Sequence, residues 1–281
     1  MLYFPAPAKI NRMLRVIRRE ENGYHYLQTV FQFTDLFDEI GFEVREDNEI
    51  RFNYEHLDFS KEEDLIYRAI TALKHYSNSD KGVTIDLIKN LPMGAGIGGG
   101  SSNAATTLVA LNALWELNLS QTALIEIGKK IGADVPIFIY GKSAWAEGIG
   151  EILTPLEIKE EEFTLINPGI HISTKLIFES SELPRNSMLF PDKYFDQSRA
   201  INDCLPAIYH HYPAMRLIMN ALNELNLNPY ITGTGSCIFV PKMDAEQSLL
   251  LSSLAKEQGW ELLPFKSLNQ SLLYENAPIA L

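Results

Sequence analysis

The chain is organised around Pro92-Met93-Gly94-Ala95-Gly96-Ile97-Gly98-Gly99-Gly100-Ser101-Ser102-Asn103-Ala104-Ala105. Five glycines fall between positions 94 and 100, and good helix formers follow at once: Ala104, Ala105, Leu108, Ala110 and Leu111. This spacing predicts a loop that feeds a helix N-terminus. Glycine takes backbone angles closed to other residues and lets main-chain N–H groups approach a ligand, while the first helical amides and the helix dipole favour an anion. The expected anion is a nucleotide phosphate. A flexible Gly/Ser linker is the alternative, disfavoured because the run is short, holds Met93 and Ile97, and follows strand-like residues.

Two familiar nucleotide-site types must be weighed. Gly94-x-Gly96-x-x-Gly99 satisfies a dinucleotide fingerprint, which also requires an acidic residue about 20 positions on, at the end of the next strand. Glu116 has nearly that spacing, but apolar residues at 108, 111, 114 and 115 put it in a helix, as a solvated residue. Gly141-Lys142-Ser143 fails as a P-loop because Pro136 stands where the leading glycine belongs, so an ordinary turn is expected there.

With 281 residues the chain is long enough for one large or two ordinary domains, and two are expected. The 24 Lys+Arg against 36 Asp+Glu leave a net charge of −12, which gives no global field for nucleic acid. Any phosphate must therefore be held locally. Cys204 and Cys237 lack metal-site spacing and are expected to be buried small hydrophobes. No apolar leader or membrane-length run appears, so the expectation is a cytoplasmic protein with no membrane partner.

At the N-terminus, Tyr3-Phe4-Pro5-Ala6-Pro7-Ala8-Lys9-Ile10-Asn11 predicts an extended segment running into a strand through Ile17. Lys9 and Asn11 then share a face, about 7 Å apart at two residue rises. Asn22-Gly23 predicts a hairpin with Tyr24 and His25 at its mouth. Alternating residues at 40–44 and 50–54 predict half-buried strands, and Ser60-x-x-Glu63 predicts a capping box for a helix from Leu65 to Tyr76. Val83, Ile85 and Leu87 form the strand that reaches the glycine loop through Lys89.

Beyond the long helix, Ser120 is the expected N-cap of a helix that Gly132 ends. Gly132-Ala133-Asp134-Val135-Pro136 then predicts a stiff junction before a strand at 137–140, with Asp134 either a general base or a carboxylate satisfying nearby amides. The acidic run 157–162 marks a solvated connection, with the domain boundary just before it. The expected division is 1–154 and 155–281. A helix over Met215–Leu225 precedes a second glycine turn, Gly233-Thr234-Gly235-Ser236, which fits a plain β-turn or a phosphate contact.

Together, Pro-Ala-Pro-Ala-Lys9-Ile-Asn11, the 92–105 loop and Gly233-Thr-Gly-Ser resemble the three motifs of the GHMP small-molecule kinases, in the same order. Gly23-Tyr24-His25, Gly132-Ala133-Asp134-Val135-Pro136 and the stretch from Phe178 to Arg185 resemble the branch that acts on a cytidylylated methylerythritol. The resemblance implies an α+β fold of two domains, an N-terminal domain like ribosomal protein S5 domain 2 and a ferredoxin-like C-terminal domain, with the active site in the cleft between them. It implies ATP as co-substrate and a cytidine-diphosphate-linked sugar alcohol as acceptor, phosphorylated on its 2-hydroxyl.

Residue by residue, the resemblance puts ATP on Pro92, Met93, Gly94, Ala95, Gly96, Ile97, Gly98, Gly99, Gly100, Ser101, Ser102 and Asn103, with Leu65 and Lys89 at the base. It makes Asp134 the base and Lys9 its orienting cation. It gives Asn11 to the acceptor hydroxyls, Tyr24 and Phe178 to the two faces of the cytosine, His25 to its polar edge, and Thr174 to the same neighbourhood. Asp64 departs from the family pattern, which has Asn before Leu65. No carboxylate suggests itself for Mg²⁺, which is expected to be carried by ATP.

Overall fold

The computed structural model describes residues 1–54, 60, 62–77 and 79–279. In chain order the elements begin with β1 (Leu2–Arg19), β2 (His25–Arg45), β3 (Ile50–Phe52), α1 (Leu65–Ser77) and β4 (Gly82–Ile88). Next come α2 (Gly99–Leu114), α3 (Gln121–Lys129), α4 (Val135–Tyr140), β5 (Ala144–Gly148) and β6 (Ile152–Pro155). The second half contains β7 (Glu162–Asn167), α5 (Thr174–Glu179), α6 (Leu205–His211), α7 (Pro213–Glu224), β8 (Tyr230–Ile231) and β9 (Ile238–Pro241). It closes with α8 (Ala245–Gln258), β10 (Glu261–Leu268) and α9 (Leu272–Glu275).

Strands β1 and β2 form one long antiparallel hairpin around the turn at Gly23, whose φ of 86° only glycine adopts freely. Among the described residues the main sheet runs β3-β4-β2-β10-β7-β9-β8, with β1 and β5 also paired to β2, and β6 to β5. Strand β10 is the joint: it pairs with β7 along its length and meets β2 through Ser267 opposite Thr34 and Leu268 opposite Phe33. The join is reinforced by buried Arg12, which donates to Gln32 (2.6 Å) and Glu161 (3.3 Å) and lies 5.0 Å from the Phe163 ring. Strand β6 ends at Pro155.

One core lies between the first-half strands and α1–α4, and a second between β7–β9 and the helices of the second half. A third, smaller core joins them. It holds Ile10 of β1, Leu91 just before the glycine loop, Ala95 and Ile97 within it, and Phe163, Phe239 and Phe265. The loop is thus pinned from beneath by its own apolar residues. No helix among the described residues is long and apolar enough to cross a membrane.

Four local expectations are corrected. The expected strand at 137–140 is the helix α4, because Pro136 sits in its first turn, where a missing N–H costs nothing and the fixed φ suits a helix. The helix α1 starts at Leu65, and its leading amide bond runs from Ile66 N to Asp64 Oδ1 (2.7 Å); Glu63 still reaches back to Ser60 N (2.9 Å), one turn too early to cap it. The strand at 50–54 closes at Phe52. Glu116 lies past the end of α2, exposed and at φ 58°, rather than within the helix.

Candidate active site

Register shifts in the β1–β2 pairing flank Lys9 and Asn11, so these two residues face one way as a unit. The Lys9 side chain is 4% exposed; its ammonium donates to Asn11 Oδ1 (2.7 Å) and Gly96 O (3.3 Å) and forms an ion pair with Asp134 Oδ2 at 3.2 Å. The Phe31 ring lies 5.1 Å from it. Asn11 is oriented by a relay in which its amide donates to Thr29 Oγ1 (2.8 Å) and Thr29 donates to Met13 O (2.6 Å), leaving Oδ1 for Lys9. Asp134 precedes α4 but makes no side-chain cap bond to it. Its carboxylate, 35% exposed, is therefore spent on Lys9 and the open cavity.

The glycine loop is held by backbone on both sides. Lys9 N donates to Ile97 O (3.0 Å), Cys237 N to Ala95 O (3.1 Å), and Thr232 Oγ1 to Gly96 O (3.3 Å). One carbonyl, that of Gly96, thus accepts from both the N-terminal lysine and the downstream glycine turn. Gly98 is the N-cap of α2 at φ 75°, with no side chain to satisfy the first amides, which stay available to an anion. Ser102 Oγ and Asn103 Oδ1, just inside the helix, are buried without hydrogen-bond partners.

A cavity of about 740 Å³ opens over this apparatus, a size suited to small-molecule ligands. Its walls include Lys9, Asn11, Leu65, Lys89, Asp134 and Phe178. At one end Lys89 meets the fully buried Asp38 at 2.5 Å, and the other Asp38 oxygen accepts from Asn90 N and Leu91 N, both at 2.8 Å. Asp64 is also in the wall and accepts from Tyr54 (2.9 Å). At the other end Thr174 and Thr234 share a hydrogen bond of 3.0 Å.

Most sequence-predicted residues meet here: Pro92, Met93, Gly94, Ala95, Gly96, Gly98, Gly99, Gly100, Ser101, Asn103 and Thr174 all line the cavity. Ile97 does not, because its side chain is buried in the joining core, and Ser102 is fully buried behind the wall. His25 is also behind it, with its ring centroid 5.3 Å from that of Phe178 and Nε2 accepting from Arg185 Nε (3.0 Å). Burial first, then Arg185 and Arg19, holds the His25 imidazole below its ordinary pKa. Tyr24 is exposed and outside the lining residues. The site residues given no role by sequence reasoning are Thr29, Asp38, Arg185 and Thr232. Thr232 carried a signal as neighbour of the second glycine turn, and Arg185 as the end of the motif that starts at Phe178.

Both cysteines are buried, and burial pushes both thiols up to about 12, which rules out a thiolate nucleophile at neutral pH. Among the described residues no group of three or more His, Cys, Asp and Glu is placed to hold a metal ion.

A glycine loop at a helix N-terminus, a paired lysine and aspartate, and a two-lobed α+β sheet define a small-molecule kinase of the GHMP class. The family description "GHMP kinases N terminal domain" matches residues 64–142. The chain is 42% identical to the 4-diphosphocytidyl-2-C-methyl-D-erythritol kinase of Methylococcus capsulatus, over 98% of this chain and 94% of that one. It is 41% identical to the Nitrosococcus oceani enzyme of the same name, over 98% of each. A crystal structure of 4-(cytidine 5'-diphospho)-2C-methyl-D-erythritol kinase superimposes with a TM-score of 0.78 at 27% identity, over 94% of this chain and 98% of that one. A mevalonate kinase structure, at 13% identity and a TM-score of 0.64 over 96% and 100%, shares the fold alone. The chain belongs to the 4-diphosphocytidyl-2-C-methyl-D-erythritol kinase family.

Proposed function

We propose that this chain transfers the γ-phosphoryl group of ATP to the 2-hydroxyl of 4-diphosphocytidyl-2-C-methyl-D-erythritol, giving the 2-phosphate and ADP, in non-mevalonate isoprenoid precursor synthesis. The observation that carries this reading is the 3.2 Å Lys9–Asp134 pair facing the cavity that the glycine loop lines, in a chain with full-length relatives of that name. Asp134 takes the hydroxyl proton. The oxygen bonds to the γ-phosphorus as the bridge to the β-phosphate breaks, and the electron pair leaves with ADP. Lys9 orients Asp134 and offsets charge on the transferring group. Phosphoryl transfer asks little covalent work of a protein, and positioning plus fixed charge supply the catalysis.

The loop amides and the start of α2 take the ATP phosphates, while Leu65 and Lys89 flank the adenine. Asn11 and Thr174 address the acceptor, and Phe178, Tyr24 and His25 its cytosine. Tyr24 and His25 lie outside the cavity wall, so this assignment calls for Tyr24 to close over the base when the acceptor binds. Mg²⁺ carried by ATP would neutralise part of the phosphate charge. Asn103 Oδ1, in the cavity wall, is a neutral, unpartnered oxygen suited to a hard cation that keeps most of its ligands from phosphate and water. The functional division is taken as 1–154 for ATP and 155–281 for the second lobe, with the protein acting in the cytoplasm.

The test is ADP release with the cytidylylated methylerythritol, set beside mevalonate, homoserine and galactose. Turnover with the first alone supports the assignment. Turnover with only one of the other three overturns it.

A further inference from the structure

Three cavity-lining side chains are able to carry positive charge: Lys9, Lys89 and His171. The first two are already matched to carboxylates, Asp134 at 3.2 Å and Asp38 at 2.5 Å. No hydrogen bond or ion pair among the described residues engages the His171 imidazole. Yet a kinase of the proposed specificity brings two polyphosphates into this one cavity, the triphosphate of ATP and the diphosphate of the acceptor.

His171 is placed to meet them. It lies on the connection between β7 and α5, in the second half of the chain, and its ring stands directly over the first glycine of the loop. A Cβ at Gly94, where φ is +63°, would fall 2.8 Å from His171 Nδ1 and 3.1 Å from Cε1. Gly94 is thus the seat of an imidazole that comes from the opposite lobe. The backbone on its C-terminal side is fixed: Ile172 is buried in the second core, Ser173 N donates to the Tyr212 hydroxyl (3.1 Å), and the Ser173 side chain caps α5. The ring itself belongs to an exposed residue.

We propose that His171 is a phosphate-binding residue, donating from its imidazole to a polyphosphate oxygen of a ligand held between the glycine loop and the second lobe. The shared chemistry is a terminal or bridging phosphate, supplied by ATP or by the acceptor's diphosphate. The proposal rests on the kinase reading above, and failure of that reading shows separately, as absence of turnover in the unaltered enzyme.

The experiment compares His171→Ala, His171→Gln and His171→Lys with the unaltered full chain. Steady-state kinetics are measured in both substrates, and calorimetric titrations with ADP and with CDP. A lost hydrogen bond to a charged group predicts that His171→Ala raises KM for one phosphate-bearing substrate by about ten-fold or more, with kcat nearly unchanged. His171→Lys, which keeps a donor, restores most of the loss, and the melting temperature does not move. A weaker ADP titration in His171→Ala makes ATP the source, whereas a weaker CDP titration makes it the acceptor's diphosphate. Unchanged KM values and titrations for the alanine variant overturn the proposal. A lysine variant as defective as alanine also overturns it, since the ring would then act by shape.

Discussion

Lys9 Nζ and Asp134 Oδ2 lie 3.2 Å apart although one belongs to the first strand and the other to the start of a helix in another layer. Asp134 has no second duty as a helix cap, so its replacement tests chemistry with little structural cost. Asp134→Asn and Lys9→Ala are each expected to lower kcat by about a hundred-fold or more while ATP affinity changes little. Pre-steady-state and steady-state ADP release measure this. Near-normal kcat in the asparagine variant removes Asp134 as the base.

Asp38 holds both Lys89 and the amides of Asn90 and Leu91, the last residues before the glycine loop. In Asp38→Asn one oxygen still accepts those amides, but an NH₂ faces the ammonium. The expected result is a rise of about ten-fold in KM for ATP and a loss of about 1–3 kcal/mol of stability. The acceptor's KM should stay put. An ATP KM within two-fold of the original, at full occupancy of the folded state, separates Asp38 from nucleotide binding.

Gly96 packs against backbone. An alanine there, at φ +77°, puts its Cβ 2.5 Å from the Thr232 carbonyl and 2.9 Å from the Gly235 carbonyl, whereas one at Gly169, at φ +70°, meets nothing within 4 Å. Strain at positive φ alone costs about 1 kcal/mol. Gly169→Ala is expected to lose about that much in chemical denaturation, and Gly96→Ala clearly more, with loss of turnover. Equal losses at the two sites dispose of the close approach.

Phe178 faces the cavity while Tyr24 is exposed outside it. Phe178→Ala should raise KM for the cytidine substrate by about ten-fold, from about 1–2 kcal/mol of lost ring contact. Tyr24→Ala should do the same only if Tyr24 closes on the bound base. An unchanged KM in both variants ends the stacking assignment.

His25 is neutral in the folded protein at a pH where an unfolded histidine is already taking up a proton, because its pKa is lowered from 6.5 by burial, Arg185 and Arg19. Below that value the unfolded chain binds more protons, so stability rises with pH there and is lost on acidification; above it the group contributes no slope. Melting temperatures of the unaltered protein should therefore fall between neutral pH and pH 5 by more than those of His25→Gln. Parallel curves for the two proteins refute the assignment of that slope to His25.

The glycine loop, the Lys9–Asn11 face and the second glycine turn were legible because each is a short stretch with a local backbone requirement. Asp38 and Thr29 were not, because their roles consist of side-chain bonds to residues remote in sequence, Asp38 to Lys89, Asn90 and Leu91 and Thr29 to Asn11 and Met13. The strand expected at 137–140 shows a second limit. Val135-Pro136-Ile137-Phe138-Ile139 has strand composition, and burial of Val135, Ile137 and Ile139 against α2 and α3 overrides that preference. Ile97 shows a third: composition locates a loop but does not tell which of its residues faces the ligand and which the core.

The position of β10 bears on how the enzyme is made. The sheet is joined through residues 261–268, so while the ribosome is still adding them, at about 5–20 residues per second, the two lobes have no strand between them. The nascent chain can carry Lys9, the glycine loop, Asp134 and the second glycine turn and still lack this join in the sheet. A chain that stops between Val240 and Glu261 keeps Lys9, the glycine loop, Asp134 and the second glycine turn but lacks the strand that pairs with both β2 and β7.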